Sequence, residues 1–526
     1  MVFRTLHDLD RTAGTVRLVE VGSAHVVHKA GTDIVLVPQP SSDPNDPLRL
    51  PQWRKNVAFS ILCTFIFLVN FAIGGLAPAF LVLSEEFDKS IPVTAYLLTY
   101  CILCLGLGNF FWVPSAIYFG KRPVFVLASG LFFAFTLWTA VATSYETLFA
   151  ARIISALAGG STEALGAAIV NDIYYLHERG SKMGIYMVAL STGNAIGPLI
   201  SGFTVTAIGW RWFNWIATIL CGITFVAVVF FVPETRFERQ YDRGIAESED
   251  GQEGESKTAA VEVEHVDSHA DASIPARKSY WKQLSLWSGV PSDTNFFAIF
   301  FRPFPLIIYP AVLWGVLSYA MSLVAVVAVN DLNSFVYQVA PYNFTAAING
   351  LINIPSLIGN LFGCFTSGYL LDRFAEWRAR RNDGIFVPES RLPLVVIPGV
   401  LVPVGTLLFG FAAEEKMHWA VGYVGYGLVA IGLSATANIA MIYVMDSYYP
   451  VAAEALLLVN GFKNVVAFGF LHGIVTWVGE SGYEAAFGTL AGLYIAIIGL
   501  AIPLYYFGAR IRRHTSSQWK LINWAL

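Results

Sequence analysis

Two ionisable residues, Glu163 and Lys463, stand deep inside long apolar stretches of the chain. Charged side chains are costly inside a membrane-spanning segment, and they often mark pathways for ions or substrates. Glu163 could exchange a proton or meet a cationic substrate, whereas Lys463 could bind a substrate anion or pair with an acid across an interface. The structural alternatives, an acid bonded to a neighbouring helix and a fixed structural cation, stay open at this stage.

The residues around Glu163 favour a cavity wall. At about 100° per residue, Arg152 and several small residues fall on the same helix face as Glu163. These small residues are Ala156, Gly159 and Gly166. Large aliphatic side chains would instead indicate packing or lipid contact. We therefore interpret Arg152 and Glu163 as candidates for the wall of a substrate or proton pathway.

Amide side chains extend this polar surface to other apolar stretches. Asn464 lies on the same helix face as Lys463. Asn70 and Asn194 are further candidates for the pathway. A continuous polar stripe recurs at i, i+4, i+7 and i+11, formed by Asn349, Asn353, Ser356 and Asn360. Interhelical hydrogen bonding is the alternative interpretation of these amides.

The sequence argues against several other function classes. An ATP-driven pump requires a phosphate-binding loop, and no G-x-x-x-x-G-K-[ST] motif occurs. The nine histidines are scattered, without metal-ligand spacing such as H-E-x-x-H, so we expect neither an enzyme nor a cofactor. The five cysteines lie in apolar runs, and we interpret them as buried thiols, the Cys101-x-x-Cys104 pair included. A channel stays open as the alternative to a carrier.

Twelve apolar runs must position these residues. Of the 526 residues, 56% are apolar and 13% are charged, which is about half the charge of a soluble domain. A helix needs about 20 apolar residues to cross a bilayer. The sequence predicts such spans at 57–80, 92–117, 123–144, 147–171, 183–207, 212–232, 304–329, 344–369, 392–412, 418–445, 452–478 and 486–508. We expect an all-α membrane protein with these spans in two pseudo-symmetric six-helix bundles.

The charges between the spans predict an orientation. Basic residues concentrate in every second connection, and acids lie mainly in the others. These acids are Glu85, Glu86, Asp88, Glu146, Asp331, Glu414, Glu415, Glu480 and Glu484. Because basic loops favour the cytosolic side, both termini are expected in the cytosol of a plasma-membrane protein, with the vacuolar membrane as the alternative. Asn343-Phe344-Thr345 is then a glycosylation sequon on the outer side.

We predict five segments along the chain. They are a cytosolic N-terminal tail (1–56), a first six-helix bundle (57–232), a cytosolic linker (233–303), a second six-helix bundle (304–508) and a cytosolic C-terminal tail (509–526). The middle of the linker, from Glu238 to Ala276, is acidic and lacks apolar periodicity. Such a composition is typical of disordered chains.

The two halves carry matching short motifs. Span four ends in Asn171-Asp172-Ile173-Tyr174-Tyr175, and span ten ends in Met445-Asp446-Ser447-Tyr448-Tyr449. The connection after span two contains Gly120-Lys121-Arg122-Pro123, and the one after span eight contains Gly368-Tyr369-Leu370-Leu371-Asp372-Arg373. Parallel repeats of this kind place a substrate site near the bilayer midplane, between halves that rock against each other.

At these motifs the chain resembles the major facilitator superfamily, over essentially its whole length. Gly368, Asp372 and Arg373 match the loop motif of that superfamily, whereas the first copy of the motif has Ile117 at its acidic position. Arg152 lies where the superfamily has an arginine in span four.

Further motifs resemble the fungal twelve-span drug:proton antiporter branch. Gly193-x-x-x-Gly197-Pro198-x-x-Ser201-Gly202 is similar to the antiporter motif of span five, with one Gly replaced by Ser. Pro233-Glu234-Thr235-Arg236-Phe237 and Pro388-Glu389-Ser390-Arg391 add to this resemblance. Within the branch, the chain looks closest to the yeast-type polyamine and histidinol transporters.

The resemblance implies a secondary transporter that works by alternating access. Proton-coupled efflux of a drug, toxin or secondary metabolite is the expected activity, and proton-coupled uptake of an organic cation such as a polyamine is the alternative. The implied partners are a small-molecule substrate, protons or another coupling ion, and the lipid bilayer. We expect a monomer that uses no metal and binds no nucleic acid.

The resemblance also implies a gate at the cytosolic helix ends. Arg373 would pair with Asp446 at the end of span ten. Asp372 would face the N-terminus of span five, whose partial positive charge favours an anion. Arg122 and Asp172 would repeat the ion pair in the first half.

Overall fold

The architecture is given by a computed structural model, which describes residues 16–17, 43–237, 280, 284–285, 296–381, 385–448 and 451–517. Within these ranges, twelve helices are long and apolar enough to cross a membrane. The predicted all-α fold with twelve spans is therefore confirmed. The stretch from Glu238 to Ala276, predicted to be disordered, lies outside the described residues.

The first half contains six spans. Their helices are Gln52–Gly74, continued by Phe80–Phe87, for span one, Ile91–Phe119 for span two, Lys121–Val141 for span three, Tyr145–Gly159 with Ala167–Ile173 for span four, Leu176–Ile208 for span five and Trp210–Phe231 for span six. Gly120 separates spans two and three with a φ of 105°, and Gly209 separates spans five and six with a φ of 95°. A side chain is strained at such positive φ values, so these two tight turns favour glycine.

The second half repeats the pattern. Its helices are Pro310–Tyr337 for span seven, Ala346–Gly350 with Asn353–Arg380 for span eight, Val396–Glu414 for span nine, Trp419–Ser447 for span ten, Ala452–Leu471 for span eleven, and Ile474–Gly499 with Ala501–Ser517 for span twelve. The helix Phe296–Phe301 precedes span seven. Two short strands, Val16–Arg17 and Ile385–Phe386, pair in antiparallel orientation, with Val16 opposite Phe386.

Span seven lies further along the chain than the sequence predicts. The predicted span is 304–329, whereas the helix runs from Pro310 to Tyr337 and 304–308 is a 3-10 turn. The prediction that Asp331 belongs to an outer loop is therefore wrong. The polar run around Asp331 lowers the local hydropathy, but neighbouring spans cover this run, and Asp331 is fully buried.

The two halves meet along two pairs of spans. Span two packs against span eleven, and span five packs against span eight. Where spans two and eleven cross, a Cβ atom built on Gly106 would lie 2.7 Å from the carbonyl oxygen of Gly461. The backbones are thus in close contact at this crossing, and a central cavity lies between the halves.

Hydrogen bonds between the halves join them at one end of the molecule. The Gln338 side chain donates to the Pro78 carbonyl over 3.0 Å, and the Ala347 amide donates to the Thr206 hydroxyl over 3.1 Å. We call this the Pro78 end. The opposite end carries the connection between spans two and three, and we call it the Lys121 end.

Candidate functional site

A cavity lies between the two halves. Eight spans contribute to its wall, namely all except spans three, six, nine and twelve. Its polar lining residues are Asn70, Glu163, Ser191, Asn194, Tyr319, Asn330, Ser356, Asn360, Tyr426, Ser434, Asn438, Lys463 and Asn464. The other lining residues are apolar, among them Ile102, Leu323 and Leu433. A concave site that combines apolar walls with a few polar groups is suited to a small organic molecule.

Glu163 and Lys463 form an ion pair in this cavity. The Lys463 Nζ atom lies 2.9 Å from both carboxylate oxygens of Glu163. Their side chains are 7% and 3% exposed, respectively. Glu163 belongs to the first half of the chain and Lys463 to the second, so the pair joins the two bundles. Two residues that the sequence singled out separately therefore act on each other.

Two amides complete the environment of the Glu163 carboxylate. Asn109 and Asn464 donate to the Glu163 Oε2 atom over 2.9 and 3.0 Å. The Lys463 ammonium also donates to Asn464 Oδ1 over 3.3 Å and lies 5.1 Å from the centre of the Tyr319 ring. Glu163 is the acceptor in its hydrogen bonds with Lys463, Asn109 and Asn464, as an ionised carboxylate is. The site therefore holds a carboxylate and an ammonium group.

A local break in span four aims Glu163 at the cavity. Residues Thr162–Gly166 form a short π-helical turn between the two helical parts of the span. The Tyr186 hydroxyl donates to the Thr162 carbonyl over 2.5 Å, which fixes this turn against span five. Single π-helical turns are frequent at functional sites because they redirect side chains. A regular helical periodicity does not predict this turn.

Arg152 has a different position from the one that the sequence predicted. Its guanidinium donates to the backbone carbonyl of Leu97 over 2.9 Å and to that of Ile73 over 2.6 Å. The side chain is buried and is not among the residues that line the cavity. Arg152 therefore ties span four to spans one and two, and it supports the cavity wall from behind.

The candidate amides divide into two groups. Asn70 and Asn194 line the cavity, and the Asn194 side chain donates to Asn70 Oδ1 over 3.2 Å. Asn349 and Asn353 are fully buried and are not among the lining residues. The predicted polar stripe of span eight is interrupted by the turn at Leu351, which separates the two helices of this span.

At the Lys121 end, the ion pairs in the structure have different partners from those predicted for the gate. Asp446 pairs with Arg391, with 3.2 Å between Nη1 and Oδ2, whereas the Arg373 guanidinium lies over the ring of Tyr369. The predicted pair between Arg373 and Asp446 is therefore wrong for this conformation. Arg391 precedes span nine, and the path of that loop decides which arginine reaches span ten. The Asp372 side chain lies outside the part that the structure describes.

The ion pair predicted for the first half also forms with a different basic residue. Asp172 pairs with Lys121 at 2.5 Å rather than with Arg122. The Arg122 guanidinium donates instead to the carbonyls of Val229 and Val232 over 2.7 and 2.8 Å. The predicted pair between Arg122 and Asp172 is thus wrong in its basic member, although an ion pair does form at this position of the repeat.

The motif after span six caps span three. The Glu234 carboxylate accepts hydrogen bonds from the backbone amides of Lys121 and Arg122, over 3.1 and 3.3 Å. These amides belong to the first turn of the helix, where an acid satisfies free N–H groups and the positive end of the dipole. Glu234 thus supplies an acid close to the connection in which Ile117 replaces the acid of the loop motif.

A second buried ion pair lies outside the cavity. Arg512 of span twelve donates two hydrogen bonds to the Glu389 carboxylate, over 2.8 and 2.7 Å. The two side chains are 1% and 4% exposed. This bidentate pair fixes the end of span twelve to the loop before span nine.

The glycine motif of span five permits two close helix contacts. A Cβ atom on Gly197 would lie 2.5 Å from the carbonyl oxygen of Phe71 in span one. A Cβ atom on Gly202 would lie 2.5 Å from the carbonyl oxygen of Ala346 in span eight. Pro198 lies between these contacts and directs its carbonyl towards Gly350. Span five is therefore packed tightly against both halves.

The structure also gives the positions of the glycosylation sequon and of the cysteines. Asn343 is exposed between spans seven and eight, at a φ of 52°. All five cysteines are free, and Cys101 is buried while Cys104 is half-buried.

Two bundles of six spans, with an ion pair in the cavity between them, define a membrane carrier. The sequence model described as the Major Facilitator Superfamily matches residues 61–471, and the chain belongs to that superfamily. It is therefore a multi-pass integral membrane transporter and not an enzyme.

Relatives agree with this assignment. An MFS-type transporter of Schizosaccharomyces pombe is 28% identical to this chain and covers 94% of it, over 91% of its own length. The efflux pump radE of Floropilus chiversii is 25% identical and covers 91% of the chain, over 85% of its own length. The predicted resemblance to fungal transporters is thereby confirmed.

One solved structure shows the same fold. The crystal structure of the human organic anion transporter MFSD10 (TETRAN) aligns with a TM-score of 0.55 and 15% sequence identity, over 86% of this chain and 100% of that one. At this identity the likeness concerns the fold alone.

Proposed function

We propose that this transporter exports a small organic molecule in exchange for protons, and that Glu163 carries the coupling proton. The observation that supports this proposal is the Glu163–Lys463 pair, because it joins the two halves inside the cavity. Alternating access requires the halves to move against each other, so an interbundle pair at this position must be broken or replaced during the cycle.

A proton is suited to break this pair. When Glu163 accepts a proton it loses its charge, and the attraction of Lys463 falls with it. The desolvation cost of a buried pair nearly cancels its Coulomb attraction, so the pair can be exchanged for another arrangement at a small net cost. Lys463 is then free to meet an acceptor group of the substrate, or of the protein.

The cavity wall indicates an amphipathic cargo. Apolar residues such as Ile102 and Leu323 provide a surface for a carbon skeleton, and the amides of Asn70, Asn194 and Asn464 provide hydrogen bonds. The charge pair adds one anionic and one cationic contact. A drug-like molecule or a secondary metabolite has these features.

The span-five motif supports export because it resembles the motif of antiporters. Its glycines Gly197 and Gly202 allow the close helix contacts described above. A relative named an efflux pump adds to this support. Uptake of an organic cation such as a polyamine is the competing function, and Glu163 is the residue that favours it.

The proposed location is the plasma membrane, with both termini in the cytosol. Basic residues at the Lys121 end, among them Arg373 and Arg512, then face the cytosol as the positive-inside rule expects. The interbundle hydrogen bonds at the Pro78 end lie on the outer side, so this conformation faces inward. A monomer contains both halves of the site.

Purified transporter in vesicles tests the proposal. In inside-out vesicles, the cytosolic side of the transporter faces the medium, so export moves substrate into the vesicle. An imposed pH gradient should then drive accumulation of a cationic dye or metabolite chosen from a test panel. The same substrates should cause measurable proton movement when no gradient is imposed. Transport driven in the same direction as the protons would instead favour the uptake function, and the absence of any proton movement would contradict the coupling.

A further inference from the structure

Span seven contains a buried acid that the proposed mechanism does not use. Asp331 is fully buried, and neither of its carboxylate oxygens has a hydrogen-bond partner in the described part of the chain. No lysine, arginine or histidine among the described residues lies within ion-pair distance of it. Asp331 is therefore unlike Glu163, whose carboxylate accepts several hydrogen bonds.

Asp331 lies directly behind the cavity wall. Its neighbours along span seven, Val327 and Asn330, line the cavity. Span seven packs against span ten, and Tyr426 of span ten lies near Asp331. Tyr426 and Ser356 of span eight also line the cavity. One layer of side chains thus separates Asp331 from the substrate space.

Other polar atoms of spans seven and eight also lack partners. Ser334 lies one helical turn further along span seven, and Asn353 lies one turn before Ser356 on span eight. The Ser334 hydroxyl and the side-chain amide oxygen of Asn353 are buried without a hydrogen bond in the described part of the chain. Buried polar groups are normally paired, so this polar layer is incomplete in the present conformation.

An ionised carboxylate in such a place is strongly disfavoured. A buried charge without a partner loses its hydration and gains nothing in return, so the group takes up a proton instead. From this geometry, we infer that Asp331 is a second proton site of the transporter, still occupied in this inward-facing conformation and emptied towards the cytosol when the wall beside it opens. This inference rests on the proposed proton-coupled function and adds a second carrier to it.

The two acids would then hold opposite states in one conformation. Glu163 is ionised and paired with Lys463, whereas Asp331 is neutral. When the wall at Asn330 and Tyr426 opens to water, the O–H bond of Asp331 breaks, the proton passes to a water molecule, and the carboxylate becomes hydrated. The reverse step reloads the site from the outer side, once the cavity faces outward. Each cycle therefore moves one proton more than Glu163 alone would carry.

The test is the proton-to-substrate ratio in reconstituted vesicles. Asp331→Asn resembles the neutral acid in shape but cannot release a proton, so it should transport substrate with one proton fewer per molecule than the wild type. Asp331→Glu restores a carboxyl group and should restore the ratio. Ser334→Ala, one turn away, is the control for local packing and should keep the wild-type ratio.

Infrared spectroscopy of the purified wild-type protein in lipid gives a readout that does not depend on transport. It should show the carbonyl band of a protonated carboxylic acid at neutral pH, and this band should be absent from Asp331→Asn. A retained band in that variant, or an unchanged proton ratio, would overturn the inference while the proposed function stands. A wild type that moves no protons at all would instead defeat the proposed function. If sodium replaces protons as the driving ion and Asp331→Asn abolishes the sodium dependence, Asp331 belongs to a sodium site and the inference is also overturned.

Discussion

The Lys463 ammonium lies 2.9 Å from both carboxylate oxygens of Glu163, and the two residues come from opposite halves of the transporter. Movement of one half against the other therefore changes this distance directly. A contact that exists in one conformation and is lost in another biases the equilibrium between them. Charge changes at Glu163 can thus control which side of the membrane the cavity faces.

Removing one member of this pair should destabilise the protein more than removing both. Lys463→Met leaves the Glu163 carboxylate buried and unpaired, which costs about 3–5 kcal/mol. The double variant Glu163→Gln with Lys463→Met contains no unpaired charge and should recover most of this loss. Thermal unfolding of the two variants and the wild type in detergent measures the effect. Equal melting temperatures for Lys463→Met and the wild type would show that the pair is not formed.

The buried Glu389–Arg512 pair lies outside the cavity and serves as a comparison for the Glu163–Lys463 pair. Arg512→Met leaves Glu389 buried without its partner and should lower stability by a similar amount, about 3–5 kcal/mol. Transport per correctly inserted molecule should stay close to the wild-type value, since neither residue lines the cavity. Transport rates normalised to surface protein check this expectation. A loss of proton coupling in Arg512→Met would argue against a purely structural role.

Side chains on the close-packed face of span five should interfere with function. A Cβ atom at Gly197 meets the Phe71 carbonyl oxygen at 2.5 Å, so Gly197→Val forces spans one and five apart. Overpacking of this kind costs about 1–3 kcal/mol, and transport should fall strongly. Gly184→Val is the matched control in the same span, because nothing lies within 4 Å of a Cβ atom there. Similar transport by both variants would rule out this packing argument.

Glycosylation of Asn343 tests the orientation of the chain. Its exposed side chain should carry a glycan if the Pro78 end faces the secretory lumen and later the outside. Glycosidase treatment should then increase the electrophoretic mobility of the wild type but not of Asn343→Gln. Thr345→Ser is the control, since it keeps both the sequon and a hydroxyl for the helix cap that Thr345 forms with the Ile348 amide. A wild type that glycosidase leaves unchanged would contradict the glycosylation prediction.

The sequence predicted the spans and the two charged cavity residues well, because both depend on local composition. A helical run of apolar residues is visible in the sequence itself, and a charge within it is conspicuous. The pairing of Glu163 with Lys463 could not be derived in this way, since the two are 300 residues apart. Helical periodicity indicates which face of a helix is polar, but not which other helix lies opposite.

Asp331 and the gate arginines show where local composition misleads. Asp331 stands among polar residues and therefore resembles a loop residue, although it is fully buried in the folded protein. Arg373 lies in the superfamily's motif, yet Arg391 reaches Asp446 because the loop before span nine passes beside that helix end. Burial and loop paths depend on tertiary contacts, which neither hydropathy nor motif spacing contains.

Proton coupling through Glu163 is the central claim, and a comparison of two transport modes tests it most directly. Glu163→Gln, in vesicles with substrate on both sides, should still exchange labelled for unlabelled substrate, because the neutral amide keeps the cavity and can bond to Lys463. When a pH gradient is imposed, the same variant should accumulate much less substrate against its gradient than the wild type and the Glu389→Gln control. Accumulation by Glu163→Gln at the wild-type level would contradict the account.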